Sequence, residues 1–115
     1  MSALSGIFER FDVLVVPFPF TDRLAAKRRP ALVVSNAGFN DVASHAVMAM
    51  ITSAEQPAWP TDVAIRDLDA AGLRSPCVVR MKLFTLDRRL VLQTAGHLSK
   101  RDAAAVAKSL AMILK

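Results

Sequence analysis

Short apolar runs alternate with polar stretches rich in proline and glycine up to residue 98, a pattern typical of β-strands joined by turns. We predict six strands, at residues 11–16, 31–35, 46–52, 61–66, 77–86 and 90–98. The first run ends in Pro17-Phe18-Pro19-Phe20. Because proline cannot donate a ladder hydrogen bond, we expect this strand at an edge or an exit of the sheet. We predict turns at residues 36–44 and 67–76, and a polar, basic loop at residues 21–28.

The hydrophobic period changes after residue 98. Ser99 is a good helix N-cap, and Asp102 follows at the third helical position, close to a capping box. Apolar side chains then recur at spacings of three and four, which indicates one amphipathic helix: Ala103, Val106, Ala107, Leu110 and Ile113. Short strands followed by one helix predict a mainly β fold, a small and strongly bent barrel with a C-terminal α-helix.

Size and composition narrow the class of protein. The 115 residues fit one domain, residues 1–115, which can bury a core without disulfides or metals. A hydrophobic content of 53% argues against disorder, and the net charge of +5 favours polyanionic partners. Charges at Glu9, Arg10 and Asp12 interrupt any signal peptide, and no apolar run could span a membrane. We therefore expect a soluble, cytoplasmic protein.

One cysteine excludes an internal disulfide and a metal site built from several thiolates. Cys77 begins an apolar run, so we predict a buried, inert thiol. No histidine is near it in sequence, which argues against a role as nucleophile.

Three cations precede a buried strand in Lys27-Arg28-Arg29-Pro30. Pro30 biases Arg29 towards extended backbone, so we expect the guanidinium at the rim of the fold. A planar, permanently charged group held there suits a phosphate. A solvated basic loop before a core strand would produce the same tetrapeptide.

Several segments together resemble MazF/PemK-type toxins. Residues 12–22 resemble the opening strand of that family, and residues 28–35 its second-strand motif. Further matches follow in the family's order and spacing, at Phe39-Asn40, residues 51–53, residues 83–90 and residues 96–99. The resemblance covers about residues 8–115.

The resemblance implies an SH3-like barrel that is usually a homodimer. It also implies a metal-independent endoribonuclease without a cofactor, which cuts single-stranded RNA and is inhibited by a cognate antitoxin protein. The alternative function is a protein–protein interaction without catalysis. CcdB-type toxins resemble this fold and act by binding DNA gyrase. The Arg-Pro and Ile-Thr-Ser positions favour the nuclease.

By the same resemblance, Arg29 and Thr52 match the family's catalytic arginine and threonine, with Ser53 a secondary candidate. Without the resemblance, Thr52 is an ordinary residue at a strand end. We predict that RNA contacts come from Lys27, Arg28, Ser53, Arg80 and Lys82, and we predict no metal ligands. Arg80 and Lys82 share one face of the predicted fifth strand. The two cations could extend a positive groove, or that face could simply be exposed to solvent.

Two positions depart from the family pattern. Many relatives have glycine where Phe11 stands, and some have a Glu-Gln pair where Met81-Lys82 stands, so no recognition sequence can be transferred.

Other polar and aromatic residues have open roles. Asp12 fits a structural turn or salt bridge better than substrate positioning. His45 and His97 suggest a two-histidine ribonuclease, which we do not favour. Trp59 and Phe39 lie in predicted loops beside the candidate site, where they stack on a base or anchor a loop.

Overall fold

The structure is a computed structural model that describes residues 6–18 and 27–115. It contains six strands and three α-helices within those ranges. The strands are β1 Asp12–Phe18, β2 Lys27–Val33, β3 His45–Ser53, β4 Val63–Ala64, β5 Cys77–Asp87 and β6 Gln93–His97. The helices are α1 Ala37–Ala43, α2 Leu68–Ala71 and α3 Lys100–Ile113, with a 3₁₀ turn at Arg88–Leu90. Pro19, Phe20 and the predicted basic loop up to residue 26 lie outside the described residues.

All strand pairs are antiparallel, and the sheet order is β4-β5-β3-β2-β1-β6. The sheet curls into a half-barrel, and α3 follows as the C-terminal helix. The predicted class, a mainly β fold with a small, strongly bent barrel and a C-terminal helix, is confirmed, and the barrel is a half-barrel. None of the helices in the described ranges has the length and apolar content needed to cross a bilayer.

Apolar side chains cover both faces of the central strands. One face packs with α3 through a cluster that includes Val13, Leu32, Ala49, Val79, Val106 and Leu110. The opposite face carries a second cluster that includes Leu14, Val16, Ala31, Val33 and Met48. Because side chains alternate along a strand, consecutive residues of one strand serve the two clusters. This explains the near-continuous apolar runs in the sequence.

Of the two predicted places for the proline-rich end of β1, an edge or an exit of the sheet, the structure agrees with an exit, because β1 as a whole has a partner on each side but its end leaves β6. It pairs with β2 on one side and β6 on the other, and Pro17 lies inside it. The backbone of Val15 faces β6, since its carbonyl accepts a hydrogen bond from Leu92 N at 2.8 Å. Pro17, two residues on, therefore faces the β6 side as well, beyond the last β1–β6 pair. The missing N–H consequently breaks no ladder bond.

Two segments predicted as turns contain short helices. Asn36 caps α1, because its side-chain oxygen accepts from Phe39 N at 2.9 Å. Asp67 caps α2, which ends at Gly72 in the left-handed conformation. The fourth strand is also shorter than predicted, and the sixth begins only after the 3₁₀ turn.

The start of α3 agrees with the predicted cap. Ser99 Oγ accepts a hydrogen bond from Asp102 N at 3.2 Å. The buried Asp102 carboxylate accepts instead from the backbone N–H groups of Arg66, at 3.1 Å, and Asp67, at 2.9 Å. It therefore ties the first turn of α3 to the segment after β4.

Candidate active site

A cleft of about 470 Å³ opens at the end of the sheet where β2 begins and β3 ends. Both predicted catalytic residues, Arg29 and Thr52, line it. Three predicted RNA contacts line it too: Ser53, Arg80 and Lys82. Lys27 and Arg28 are exposed on β2 outside this lining, so the structure brings five of the seven predicted residues together.

Strand register explains why Arg29 and Thr52 face one space. Ala31 lies opposite Met50 in the β2–β3 pair. Continuing that register by two residues brings Arg29 opposite Thr52, on the same face of the sheet as Ala31 and Met50. The site thus lies at the open end of the face that carries the second apolar cluster.

Pro30 gives a physical reason for the opening. Val34 directs its N–H to β3, where it bonds Val47 O at 2.9 Å, so Leu32 and Pro30 face β3 as well. The next ladder bond would need an N–H at position 30, which proline lacks. The β2–β3 pairing ends at Ala31. Arg29 and Thr52 therefore flank a space that ladder bonds do not close.

Both groups are available to a ligand. Arg29 is exposed and Thr52 is half-buried. Within the part of the chain that the structure describes, neither side chain makes a hydrogen bond or ion pair. Ser53 differs, because its Oγ accepts from Glu55 N at 3.2 Å and closes the turn after β3. That bond leaves Ser53 less free to act on a substrate than Thr52.

A two-residue bulge in β5 places Lys82 at the cleft. Ala49 pairs with Leu83, but the next residue of β3, Met50, pairs with Arg80. Met81 and Lys82 are the two extra residues, and bulges of this kind redirect side chains. Lys82 is exposed and lines the cleft, whereas Met81 packs against the core.

The Arg80 guanidinium already has partners. Its Nε and Nη2 donate to the two carboxylate oxygens of Asp62, at 3.1 and 2.9 Å, and Nη2 also donates to Pro57 O at 2.6 Å. The hydrogen bond from Arg80 lowers the pKa of Asp62 below its ordinary value, although burial opposes this. The same bond raises the pKa of Arg80.

Sequence reasoning missed Asp62. Its carboxylate accepts from Trp59 N at 2.9 Å, and its own N–H donates to Trp59 O at 3.1 Å. The four residues Trp59-Pro60-Thr61-Asp62 form a turn with proline at the second position, which is a readable signal for a turn. The pairing with Arg80, eighteen residues on, has no local signal in the sequence.

The two predicted aromatic neighbours of the site separate in the structure. Trp59 lines the cleft, and the Arg80 guanidinium carbon lies 5.0 Å from its ring centroid. Phe39 belongs to α1 and borders a different depression, beside Arg10 and Val47. The prediction that Phe39 lies beside the site is wrong, because the chain enters β3 at the end opposite to Thr52.

The histidines lie away from the cleft. His45 begins β3, seven residues or roughly 23 Å from Thr52 at the usual strand rise. His97 Nδ1 contacts Asp12 Oδ1 at 2.8 Å, at the end of β1 remote from the cleft-lining Phe18. Asp12 also accepts from Glu9 N at 2.8 Å, so it has the predicted structural role in a turn.

Cys77 lines the cleft as a half-buried free thiol. It is therefore less buried than predicted, although burial still raises the pKa of the thiol and so disfavours the reactive thiolate. Over the described ranges, no three histidine, cysteine or carboxylate side chains are grouped so that they could hold a metal ion.

Solved structures with the same fold cover nearly the whole chain. MazF from Deinococcus radiodurans is 22% identical with a TM-score of 0.73, over 95% of this chain and 97% of that chain. An endoribonuclease in complex with its cognate antitoxin, from a mycobacterial species, is 20% identical with a TM-score of 0.74, over 95% and 94%. Mycobacterium tuberculosis toxin MazF-mt6 is 19% identical with a TM-score of 0.71, over 88% and 93%. At these identities the likeness establishes the fold.

Sequence comparison gives the family. No curated protein sequence matches the chain. A family model for the PemK-like, MazF-like toxins of type II toxin–antitoxin systems matches residues 9–114. That match spans nearly the entire sequence, and the chain therefore belongs to the PemK/MazF-like toxin family of type II toxin–antitoxin systems.

Proposed function

We propose that this toxin is a metal-independent endoribonuclease that cleaves single-stranded RNA, leaving 2′,3′-cyclic phosphate and 5′-hydroxyl ends. The observation that carries the proposal is that one open cleft is lined by the Arg29 guanidinium, which has no partner among residues 6–18 and 27–115, and by the Thr52 hydroxyl. The endoribonuclease described in the mycobacterial structure with the same fold supports it.

In the proposed reaction the ribose 2′-oxygen attacks the adjacent phosphorus and loses its proton. The bond from phosphorus to the 5′-oxygen breaks, and that oxygen takes up a proton as it leaves. The nucleophile belongs to the substrate, so the protein needs no serine or cysteine triad. Its tasks are to align attacking and leaving oxygens and to stabilise the charge that develops on phosphorus-bound oxygens.

Arg29 suits the electrostatic task. A guanidinium can donate two parallel hydrogen bonds to phosphate oxygens, and it is too weak an acid to be an effective proton donor. The Thr52 hydroxyl can donate a further hydrogen bond to the same phosphate. Lys82 adds a point charge at the cleft, and Lys27 and Arg28 remain predicted contacts for the flanking RNA.

The partners follow from the family and the proposed substrate. We expect a cognate antitoxin that covers the cleft, as the mycobacterial endoribonuclease was solved with its antitoxin. We also expect a homodimer, and an RNA target implies action in the cytoplasm.

The test is cleavage of RNA by purified protein in EDTA. We expect cutting to continue with the stated end groups, and Arg29→Ala to lower the rate roughly 10²- to 10⁴-fold, the loss typical of removing preorganised charge stabilisation. Thr52→Val removes the hydroxyl at nearly constant volume, and Thr52→Ser retains it. Arg101→Ala, an exposed arginine on α3, controls for net charge.

Two results would contradict the proposal. Cleavage by Arg29→Ala at the wild-type rate would refute the proposed role of Arg29 in stabilising the transition state. Intact RNA together with inhibition of DNA gyrase by the wild-type toxin would favour the gyrase-binding alternative.

A further inference from the structure

The single tryptophan of the chain sits at the wall of the cleft on the segment that follows β3. Trp59 is 43% exposed although it lines a concave surface. A single exposed aromatic side chain is ordinary on a protein surface, but this one lies in the wall of the proposed RNA cleft, where its ring can meet a ligand.

Asp62 holds Trp59 from the backbone side. Its carboxylate accepts from Trp59 N, and the backbone N–H of Asp62 closes the turn to Trp59 O. Asp62 is itself clamped by two hydrogen bonds from Arg80, and the two side chains are only 9% and 13% exposed. A third Arg80 bond, to Pro57 O, fixes the segment before the turn. The backbone that carries the indole is therefore tied to β5 through Asp62 and Arg80.

Arg80 also contacts the ring itself. Its guanidinium carbon lies 5.0 Å from the indole centroid, which is a cation–π contact. The contact uses one side of the ring, and the remaining exposure of Trp59 leaves indole surface facing the cleft. A planar base can stack on that surface, since unpaired bases commonly stack on aromatic side chains.

We propose that Trp59 is a stacking platform for an unpaired RNA base next to the cleaved phosphate, and that Arg80 is a positioning residue that orients the platform. This inference rests on the proposed nuclease function and adds a subsite to it. Arg80 then acts through Trp59 and Asp62. Its charge is compensated by Asp62, so it is not a main phosphate contact. The predicted RNA contact at Arg80 is thereby reassigned to an indirect role.

Tryptophan fluorescence tests the platform directly, because Trp59 is the only indole in the chain. The probes are short 2′-O-methyl oligonucleotides, which cannot be cleaved because the attacking hydroxyl is blocked. We expect oligonucleotides carrying bases to quench the fluorescence of the wild-type toxin on binding. An abasic oligonucleotide of equal length keeps its phosphates, and we expect it to bind without that quenching.

Substitutions of Trp59 measure how much its aromatic ring contributes to oligonucleotide binding. By fluorescence anisotropy of end-labelled probes, Trp59→Leu should weaken binding of base-containing oligonucleotides about 5- to 150-fold. It should leave abasic binding unchanged. Trp59→Phe keeps an aromatic face and should recover most of the loss.

The Asp62→Ala variant distinguishes two roles of Arg80, positioning Trp59 and contacting phosphate through its charge. This variant releases the Arg80 guanidinium and makes the cleft more positive by one charge. If Arg80 served mainly to contact phosphate, both probes would bind more tightly. If it positions Trp59, base-containing probes should bind at least several-fold more weakly, while abasic probes should not.

The possible failures are distinguishable. Wild-type cleavage of RNA without Trp59 quenching, or equal losses on both probes in Trp59→Leu, would overturn the stacking platform and leave the nuclease intact. Absence of both cleavage and oligonucleotide binding would overturn the proposed function and this subsite with it. The fluorescence result needs only the wild-type protein, so the inference is tested even if a variant does not fold.

Discussion

Phe11 occupies a backbone conformation that suits glycine. Its φ is 74°, in the left-handed region, and two backbone hydrogen bonds hold it there. Phe11 N donates to Val33 O at 2.7 Å, and Phe11 O accepts from Leu98 N at 3.0 Å. The ring packs on the core and under the Arg10 guanidinium, whose carbon is 4.7 Å from the ring centroid. Phenylalanine at position 11, where the family resemblance predicts glycine, thus combines backbone strain with a packing gain.

Comparing Phe11→Ala with Phe11→Gly isolates the strain. Both variants lose the packing of a half-buried ring, about 2 kcal/mol. Alanine still has a Cβ, so the left-handed backbone conformation continues to lower its free energy of unfolding by roughly 1–2 kcal/mol. Glycine avoids this penalty but loses about 0.5–1 kcal/mol more to unfolded-state entropy. The difference between these two effects lies between about 0 and 1.5 kcal/mol, so we expect the glycine variant to be more stable than the alanine variant by about 0.75 kcal/mol, the middle of that range, or about 3 °C in Tm.

Urea unfolding, followed by Trp59 fluorescence and far-UV circular dichroism, measures the difference. Ala104 is the control position, because it is exposed in the interior of α3. There the order should reverse, with Ala104→Gly less stable than the wild type by about 0.5–1 kcal/mol. If Phe11→Ala were as stable as Phe11→Gly, the inference that position 11 is strained would be refuted.

Two further predictions concern the framework and the cleft wall. Gly96→Ala would place a methyl group 2.6 Å from the carbonyl carbon of Ala71, so it should lower the free energy of unfolding in urea by about 1–3 kcal/mol. The control is Gly38→Ala, whose methyl group meets no atom closer than 3.4 Å and should not destabilise the fold. Equal stability of the two variants would contradict this prediction. Arg80 lowers the pKa of Asp62, so this pair stabilises the fold above the ordinary pKa of 3.8 and the contribution is lost as pH falls below it. The difference in unfolding free energy between wild type and Asp62→Ala should therefore shrink as pH falls below about 4, and a constant difference would argue against the ion pair.

Local signals made much of the fold predictable. The apolar runs located the central strands, and Ser99 marked the start of α3. Proline at position 17 left open whether β1 lies at an edge or exits the sheet, because the sequence does not reveal which side of a strand lacks a partner. The helix α1 was missed because seven residues are too few for a clear hydrophobic period, although Asn36 was a readable cap.

The candidate site was predictable where its residues lie on paired strands. Family resemblance supplied Arg29 and Thr52, and the β2–β3 register accounts for their common cleft. Long-range side-chain pairing was not predictable. Nothing local indicates that Arg80 is bound by Asp62. The bulge at Met81-Lys82 was likewise hidden, since it depends on how β5 fits the curl of β3.

The claim that Arg29 and Thr52 act on one phosphate is tested most directly by a double-mutant cycle. Single-turnover cleavage in EDTA would be measured for the wild type, Arg29→Ala, Thr52→Val and the double variant. Groups that stabilise the same transition state are strongly coupled, so we expect the double variant to lose far less than the product of the two single losses. Losses that multiply fully, or a single variant that cleaves at the wild-type rate, would contradict the account.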